Sequence, residues 1–187
     1  MKLLAFAASL RAASLNRKLI QQAVAMLRAV PGVDVDLADF RDFEMPMYDG
    51  DLEARDGIPA GGREFIRRIH EADGLVISTP EYNGGIPGTL KNAIDWASRA
   101  DLIPFDGKPI LLIGASPGGL GGVRGLWHSR MPLETLGAHV YPEMMGVPHA
   151  HQAFTDNGSL QDPKLLSRLQ TLLLSYRDFV QKLQRHS

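Results

Sequence analysis

Three short stretches combine polar side chains with glycines or with the start of a helix, and each suits one part of ligand binding. Thr79-Pro80-Glu81-Tyr82-Asn83-Gly84-Gly85-Ile86-Pro87-Gly88 sets a carboxylate, a phenol and an amide beside two adjacent glycines. Glycine lets backbone approach a flat ligand closely, and it also serves an ordinary tight turn. Ser9-Leu10-Arg11-Ala12-Ala13-Ser14-Leu15-Asn16 leads into a helical pattern. A helix start offers free N–H groups to an anion, and Arg11 adds a permanent charge with a forked donor suited to phosphate. The same residues can act as a simple helix cap with a solvated arginine. Ser116-Pro117-Gly118-Gly119 opens a second glycine-rich loop, whose N–H groups can face a developing negative charge or let a helix pack closely on a sheet.

Other candidates carry less. Glu81 and Tyr82 could act as a general acid pair, but shaping and hydrogen-bonding a pocket is the role expected of them. His149 and His151 have strand-like spacing, with no cysteine and no nearby acidic cluster, so a loop pair without metal is expected. His70, His128, His139 and His186 are scattered. The absence of cysteine excludes disulfides, thiolate metal sites, iron–sulfur clusters and a thiol nucleophile. Redox chemistry would therefore sit on a bound cofactor. A net charge of −1 gives no footprint for nucleic acid or an anionic membrane surface, and no acidic face for a charge-docked electron shuttle.

These stretches fall between recurring elements. Leu3–Ala7 reads as a first strand, since its apolar run is too short for a signal peptide core. Leu15, Leu19, Ile20, Ala23, Val24 and Leu27 recur at helical spacing, and Pro31-Gly32 stops them. Val33–Leu37 alternates as a second strand. Residues 38–59 lack periodicity and form a long loop, expected to be functional or disordered. A helix over 60–71 follows, then a buried strand over 73–78, the Thr79–Gly88 loop and a helix from Leu90, with Pro87 placed for the first turn. Lys108–Gly114 is a fourth strand, 123–137 a helix that Pro132 kinks or restarts, and 138–141 a short fifth strand. A final helix presents Leu165, Leu169, Leu172, Leu173, Tyr176, Phe179, Val180 and Leu183 to the sheet. The alternation predicts a single domain over 1–187, an α/β doubly wound parallel sheet of five strands in the flavodoxin-like order 2-1-3-4-5 with helices on both faces. The loops after strands one, three and four would then line one crevice. No stretch approaches the ~18 apolar residues of a membrane span, and a cytoplasmic protein is expected.

Pro80 to Gly88, followed by Leu90-Lys91-Asn92-Ala93-Ile94-Asp95-Trp96, closely resembles the flavin loop of the NADPH-dependent FMN reductase family. That family includes small quinone, chromate and azo-dye reductases with a flavodoxin-like fold. Ser9, Arg11, Ser14 and Asn16 occupy the four polar positions of its phosphate loop, Gly-Ser-x-Arg-x-x-Ser-x-Asn, with Ala8 in place of the usual glycine. The resemblance implies that Ser9, Arg11, Ser14 and Asn16 hold the FMN phosphate. It places Pro80, Glu81, Tyr82, Asn83 and Gly84 on the isoalloxazine ring, with Ser116, Gly118 and Gly119 closing the other side. It implies an NAD(P)H-dependent oxidoreductase, with NADPH or NADH as co-substrate. Hydride would pass through FMN to quinones, free flavin, azo compounds or chromate by a ping-pong mechanism, with no side chain titrating in the hydride step. A homodimer or homotetramer is expected from the family and from Phe43, Met45, Met47 and Tyr48. A flavodoxin-type electron carrier and a non-catalytic FMN-binding regulator are the alternatives.

Overall fold

The computed structural model describes residues 1–185, which leaves His186 outside the described residues. Strands β1 (Lys2–Ala7), β2 (Asp34–Ala38), β3 (Gly74–Ser78), β4 (Pro109–Ala115) and β5 (His139–Val140) form a sheet in the order β2-β1-β3-β4-β5. Every pairing is parallel, with Ala5 opposite Leu37 and Val76, and Ile77 opposite Leu112. This is the expected doubly wound order, with one addition. A further strand, β6 (Met145–Val147), pairs with the carboxyl end of β4 while β5 pairs with its start. Pro142, which has no N–H to offer a ladder, lies between them. The fifth position is thus shared by two short segments.

Both faces of the sheet are covered, so the central strands β3 and β4 are buried at every residue rather than at alternate ones. Leu3, Ala5 and Ala7 of β1 point towards α1 (Leu15–Arg28) and towards α7 (Pro163–Gln184), the helix that follows the short α6 (Ala150–Ala153). Leu4 and Phe6 point towards α3 (Ala60–Glu71), α4 (Gly88–Ala97) and α5 (Val123–Thr135). Helix α7 packs on the sheet through Leu169, Leu172, Leu173, Tyr176 and Val180. The buried Tyr176 hydroxyl lies 2.8 Å from the Leu75 carbonyl and 2.9 Å from that of Pro109, tying α7 to β3 and β4. Helix α5 runs through Pro132, which sits in its last turn.

The segment after β2 is more ordered than its lack of periodicity predicts. It holds a 3-10 turn (Phe40–Phe43) and helix α2 (Gly50–Asp56), capped by Asp39 and Asp49. Phe40 and Phe43 are buried against Phe6 and Phe65, with ring centroids 5.5 Å apart for Phe6–Phe40 and 4.8 Å for Phe43–Phe65. The Pro46 carbonyl accepts from Asn92 Nδ2 and Trp96 Nε1, both at 2.8 Å. The aromatic content of this segment is therefore mainly core, which local sequence reading does not reveal. The exposed large hydrophobic residues of the segment are Met47 and Tyr48.

Candidate functional site

The loops after β1, β3 and β4 leave neighbouring parallel strands at their carboxyl ends and meet at one edge. Asn16, at the start of α1, holds that edge together. Its amide nitrogen donates to the Ala115 carbonyl at 3.0 Å, and its oxygen accepts from Ala115 N at 2.9 Å and Ser78 Oγ at 3.0 Å. It is 3% exposed. Its oxygen is spent on two protein donors and one of its N–H groups on a carbonyl, so Asn16 braces the loops.

The first loop presents what an anion needs. Ser14 caps α1, its hydroxyl accepting from Asn16 N at 3.2 Å and keeping its own proton to donate. The backbone N–H groups of Leu10 to Ser14 donate to no acceptor among the described residues. Nor does the hydroxyl of Ser9, a residue only 3% exposed, have a partner there. Arg11 is exposed and unpaired among the described residues. Behind the loop, Arg41 donates to the Leu10 carbonyl and Arg17 pairs with Asp39, leaving the N–H side free. A row of unspent N–H groups beside two hydroxyls and a guanidinium fits a phosphate.

The second loop is a hairpin. Tyr82 N donates to Gly85 O at 3.1 Å and Gly85 N to Tyr82 O at 3.0 Å, around Asn83 (φ 52°) and Gly84 (φ 78°). Two consecutive left-handed residues make the Asn-Gly turn preferred in two-residue hairpins, a signal present in the sequence and missed there. The turn holds the Tyr82 ring out, 46% exposed, and neither its phenol nor the Asn83 amide has a partner among the described residues. Glu81 turns the other way. Its carboxylate accepts from Arg124 N at 3.1 Å, Gly125 N at 3.4 Å and Arg124 Nε at 2.8 Å. The Arg124 guanidinium first, then these two N–H groups, hold the carboxyl below the usual glutamate range against the opposing effect of burial. Glu81 therefore does not reach into the crevice, and it is ionised at neutral pH and unsuited to donate a proton.

The third loop is fixed from below. Ser116 N donates to Val147 O, Ala150 N to Ser116 O and His149 N to Gly118 O. Gly118 N is taken by Ser116 Oγ at 3.2 Å. The N–H groups of Gly119 and Leu120 have no acceptor among the described residues, so they are free to face a ligand. Gly121 abuts the backbone of Gly146 and Val147, where a Cβ would come within 2.8 Å, so β6 sets the height of this loop. His149 and His151 lie ring to ring at 6.5 Å, and no group of three metal-binding side chains occurs among the described residues.

The donors thus fit the FMN that the sequence resemblance implies. Unspent N–H groups, two hydroxyls and Arg11 suit the phosphate. Tyr82 and the hairpin on one side, and the N–H groups of Gly119 and Leu120 on the other, suit a flat polar ring. Asn16 and Glu81 stand behind that surface, and Arg124, unremarked in the sequence, joins them.

Comparison with known proteins agrees. Residues 1–152 match the family model described as NADPH-dependent FMN reductase. The chain is 38% identical over 185 residues to an NAD(P)H-dependent FMN reductase of Pseudomonas aeruginosa, covering 98% of this chain and 97% of that one. It is 39% identical over 143 residues to a quinone reductase of Escherichia coli, covering 75% and 76%. Among solved structures, the flavoenzyme NAD(P)H:(acceptor) oxidoreductase FerB of Paracoccus denitrificans superposes with a TM-score of 0.81 over 97% of both chains at 29% identity.

Proposed function

Because this chain belongs to the NADPH-dependent FMN reductase family, we propose that it is an NAD(P)H-dependent oxidoreductase that passes electrons through FMN to quinones, taking its two substrates in turn at one crevice. FMN is its cofactor, and free flavin, azo compounds and chromate are the other acceptors this reading admits. The observation that carries it is the meeting of three loops whose unspent donors match a phosphate at one end and a flat ring at the other.

Bound FMN supplies the hydride-accepting and hydride-donating chemistry. The chain supplies position and field. Ser9, Ser14, Arg11 and the N–H groups of the first loop would hold the phosphate. The Tyr82–Gly85 hairpin would help to hold the ring. The N–H groups of Gly119 and Leu120 would favour negative charge on it. Neither Glu81, already ionised and paired, nor any other side chain named at the site has to move a proton in the hydride step.

One crevice serving two flat substrates leads to alternating occupancy. Parallel double-reciprocal lines with a quinone, and competitive inhibition by quinone at high concentration, are the expected kinetics. Intersecting lines with a ternary complex caught by rapid mixing would refute the shared crevice. Failure to oxidise NAD(P)H with any quinone, despite bound FMN, would remove the enzymatic reading. We also propose a homodimer or homotetramer. Its support is Trp127 and Met131, one turn apart on α5 and 58% and 69% exposed, together with Met47 at 74%. Sedimentation as a 20.5 kDa monomer at micromolar concentration would refute that assembly. Among the described residues no helix is long and apolar enough to cross a membrane; a cytoplasmic site of action, where NAD(P)H is available, is part of the proposal.

A further inference from the structure

Glu81 and Arg124 form a contact between the two loops that bracket the ring crevice. The Glu81 carboxylate leaves the loop after β3 and sits on the first turn of α5, the helix that follows the loop after β4. Helix α5 has no side-chain cap of its own, since its N-cap is Gly122 in the left-handed region. Glu81 supplies that cap from another element. The fit is close: a Cβ on Gly125 would lie 2.9 Å from Glu81 Cα and 3.1 Å from Pro80 O, so only glycine lets α5 come this near. The Arg124 guanidinium pairs with the same carboxylate and extends over the hairpin, with its Cζ 3.9 Å from the position of a Cβ on Gly84. Glu81 is the mostly buried partner, its side chain 9% exposed, whereas that of Arg124 is 54% exposed.

We infer that Glu81 and Arg124 are positioning residues, which set the gap between the Tyr82–Gly85 hairpin and the Ser116–Leu120 loop and thereby the seat of the flavin ring. This deepens the reading given above and rests on it. A charge-assisted pair that also accepts two N–H groups fixes direction as well as distance. Its effect falls on the ring end of the crevice, because the phosphate donors lie on the loop after β1 and, among the described residues, make no hydrogen bond with Glu81 or Arg124.

That division supplies the test. Wild type, Glu81→Gln, Arg124→Gln and the double variant are compared for FMN and riboflavin affinity, for visible circular dichroism of the bound flavin, and for hydrogen exchange at Tyr82 and Gly85 without flavin. Glu81→Gln turns an amide NH2 towards the guanidinium. FMN and riboflavin affinity should then fall by the same factor, about tenfold, the scale of one lost charge-assisted hydrogen bond. The dichroism of the bound flavin should change and the two hairpin amides should exchange faster. Arg124→Gln leaves the backbone cap intact at a half-exposed position and should show the same changes to a smaller degree. The double variant removes the clash of donors and should recover part of the loss. Unchanged affinity and dichroism in Glu81→Gln, a loss confined to FMN, or a double variant no better than Glu81→Gln would overturn the inference. If wild type takes up no flavin, the cofactor reading fails, whereas the hairpin exchange rates still decide whether the contact sets the loop.

Discussion

Replacing Asn16 by alanine separates a residue that binds the cofactor from one that builds the place where it binds. In the structure the side chain makes three buried hydrogen bonds, to Ala115 N, Ala115 O and Ser78 Oγ, at 2.9, 3.0 and 3.0 Å. Ala115 is 3% exposed and Ser78 is fully buried. Truncation strands the Ala115 N–H and carbonyl in a site that water reaches poorly, while the Ser78 hydroxyl can rotate to another acceptor. A buried group left without its partner costs about 1–3 kcal/mol. Two such groups cost about 2–6 kcal/mol, or roughly 4–24 °C in Tm for a domain of this size at about 2–4 °C per kcal/mol. Thermal and urea unfolding of the flavin-free protein measures this directly. Asn16→Asp should be worse still, because it sets a carboxylate oxygen against the Ala115 carbonyl. A flavin-free Asn16→Ala protein that melts with wild type, but has lost FMN affinity, would show that the residue is a ligand and that the brace argument is wrong.

Arg11→Ala should cost about 1.5–3 kcal/mol of FMN affinity, the scale of a hydrogen bond to a charged group, with riboflavin affinity unchanged; equal losses for both flavins would move Arg11 away from the phosphate. Gly118 has open space, the nearest atom to a Cβ there being Ser116 Oγ at 3.7 Å. Gly118→Val should therefore shift flavin-free stability by no more than about 0.5 kcal/mol yet weaken flavin binding and slow both half-reactions, and normal titration of the variant with FMN would refute a role at the ring. Gly84→Val should also slow both, but its φ of 78° adds strain to the protein itself. Glu81 is held below the ordinary 4.5 by Arg124 and two backbone N–H groups. Its ionised form therefore contributes stability above pH 4.5 that is lost as the pH falls through the lower folded value. The stability gap between wild type and Glu81→Gln, measured by urea unfolding, should shrink between pH about 7 and about 3, and a constant gap would contradict the ionised clamp.

Helix positions and strand order were legible because they follow from local pattern. The run Ile110–Ile113 has to be covered on both faces, and Leu19, Ala23 and Leu27 have to share one side of a helix. Given alternating strands and helices with right-handed crossovers, the loops after β1, β3 and β4 fall at one edge, so the location of the site was also readable. What each polar side chain does there was not. Ser9, Arg11, Ser14 and Asn16 look alike as polar positions before a helix, but only the packed structure shows that Asn16 turns inward to Ala115 while Arg11 has no partner among the described residues. Glu81 and Arg124 are 43 residues apart, and no local period links them. The same holds for residues 38–59, ordered by Phe6, Phe65, Asn92 and Trp96 from other elements. The sequence determined where backbone ends and helix starts would gather, since periodicity and turn chemistry act over a few residues. Tertiary structure decided which donors and acceptors remained unspent, because that depends on which distant partner reaches each of them first.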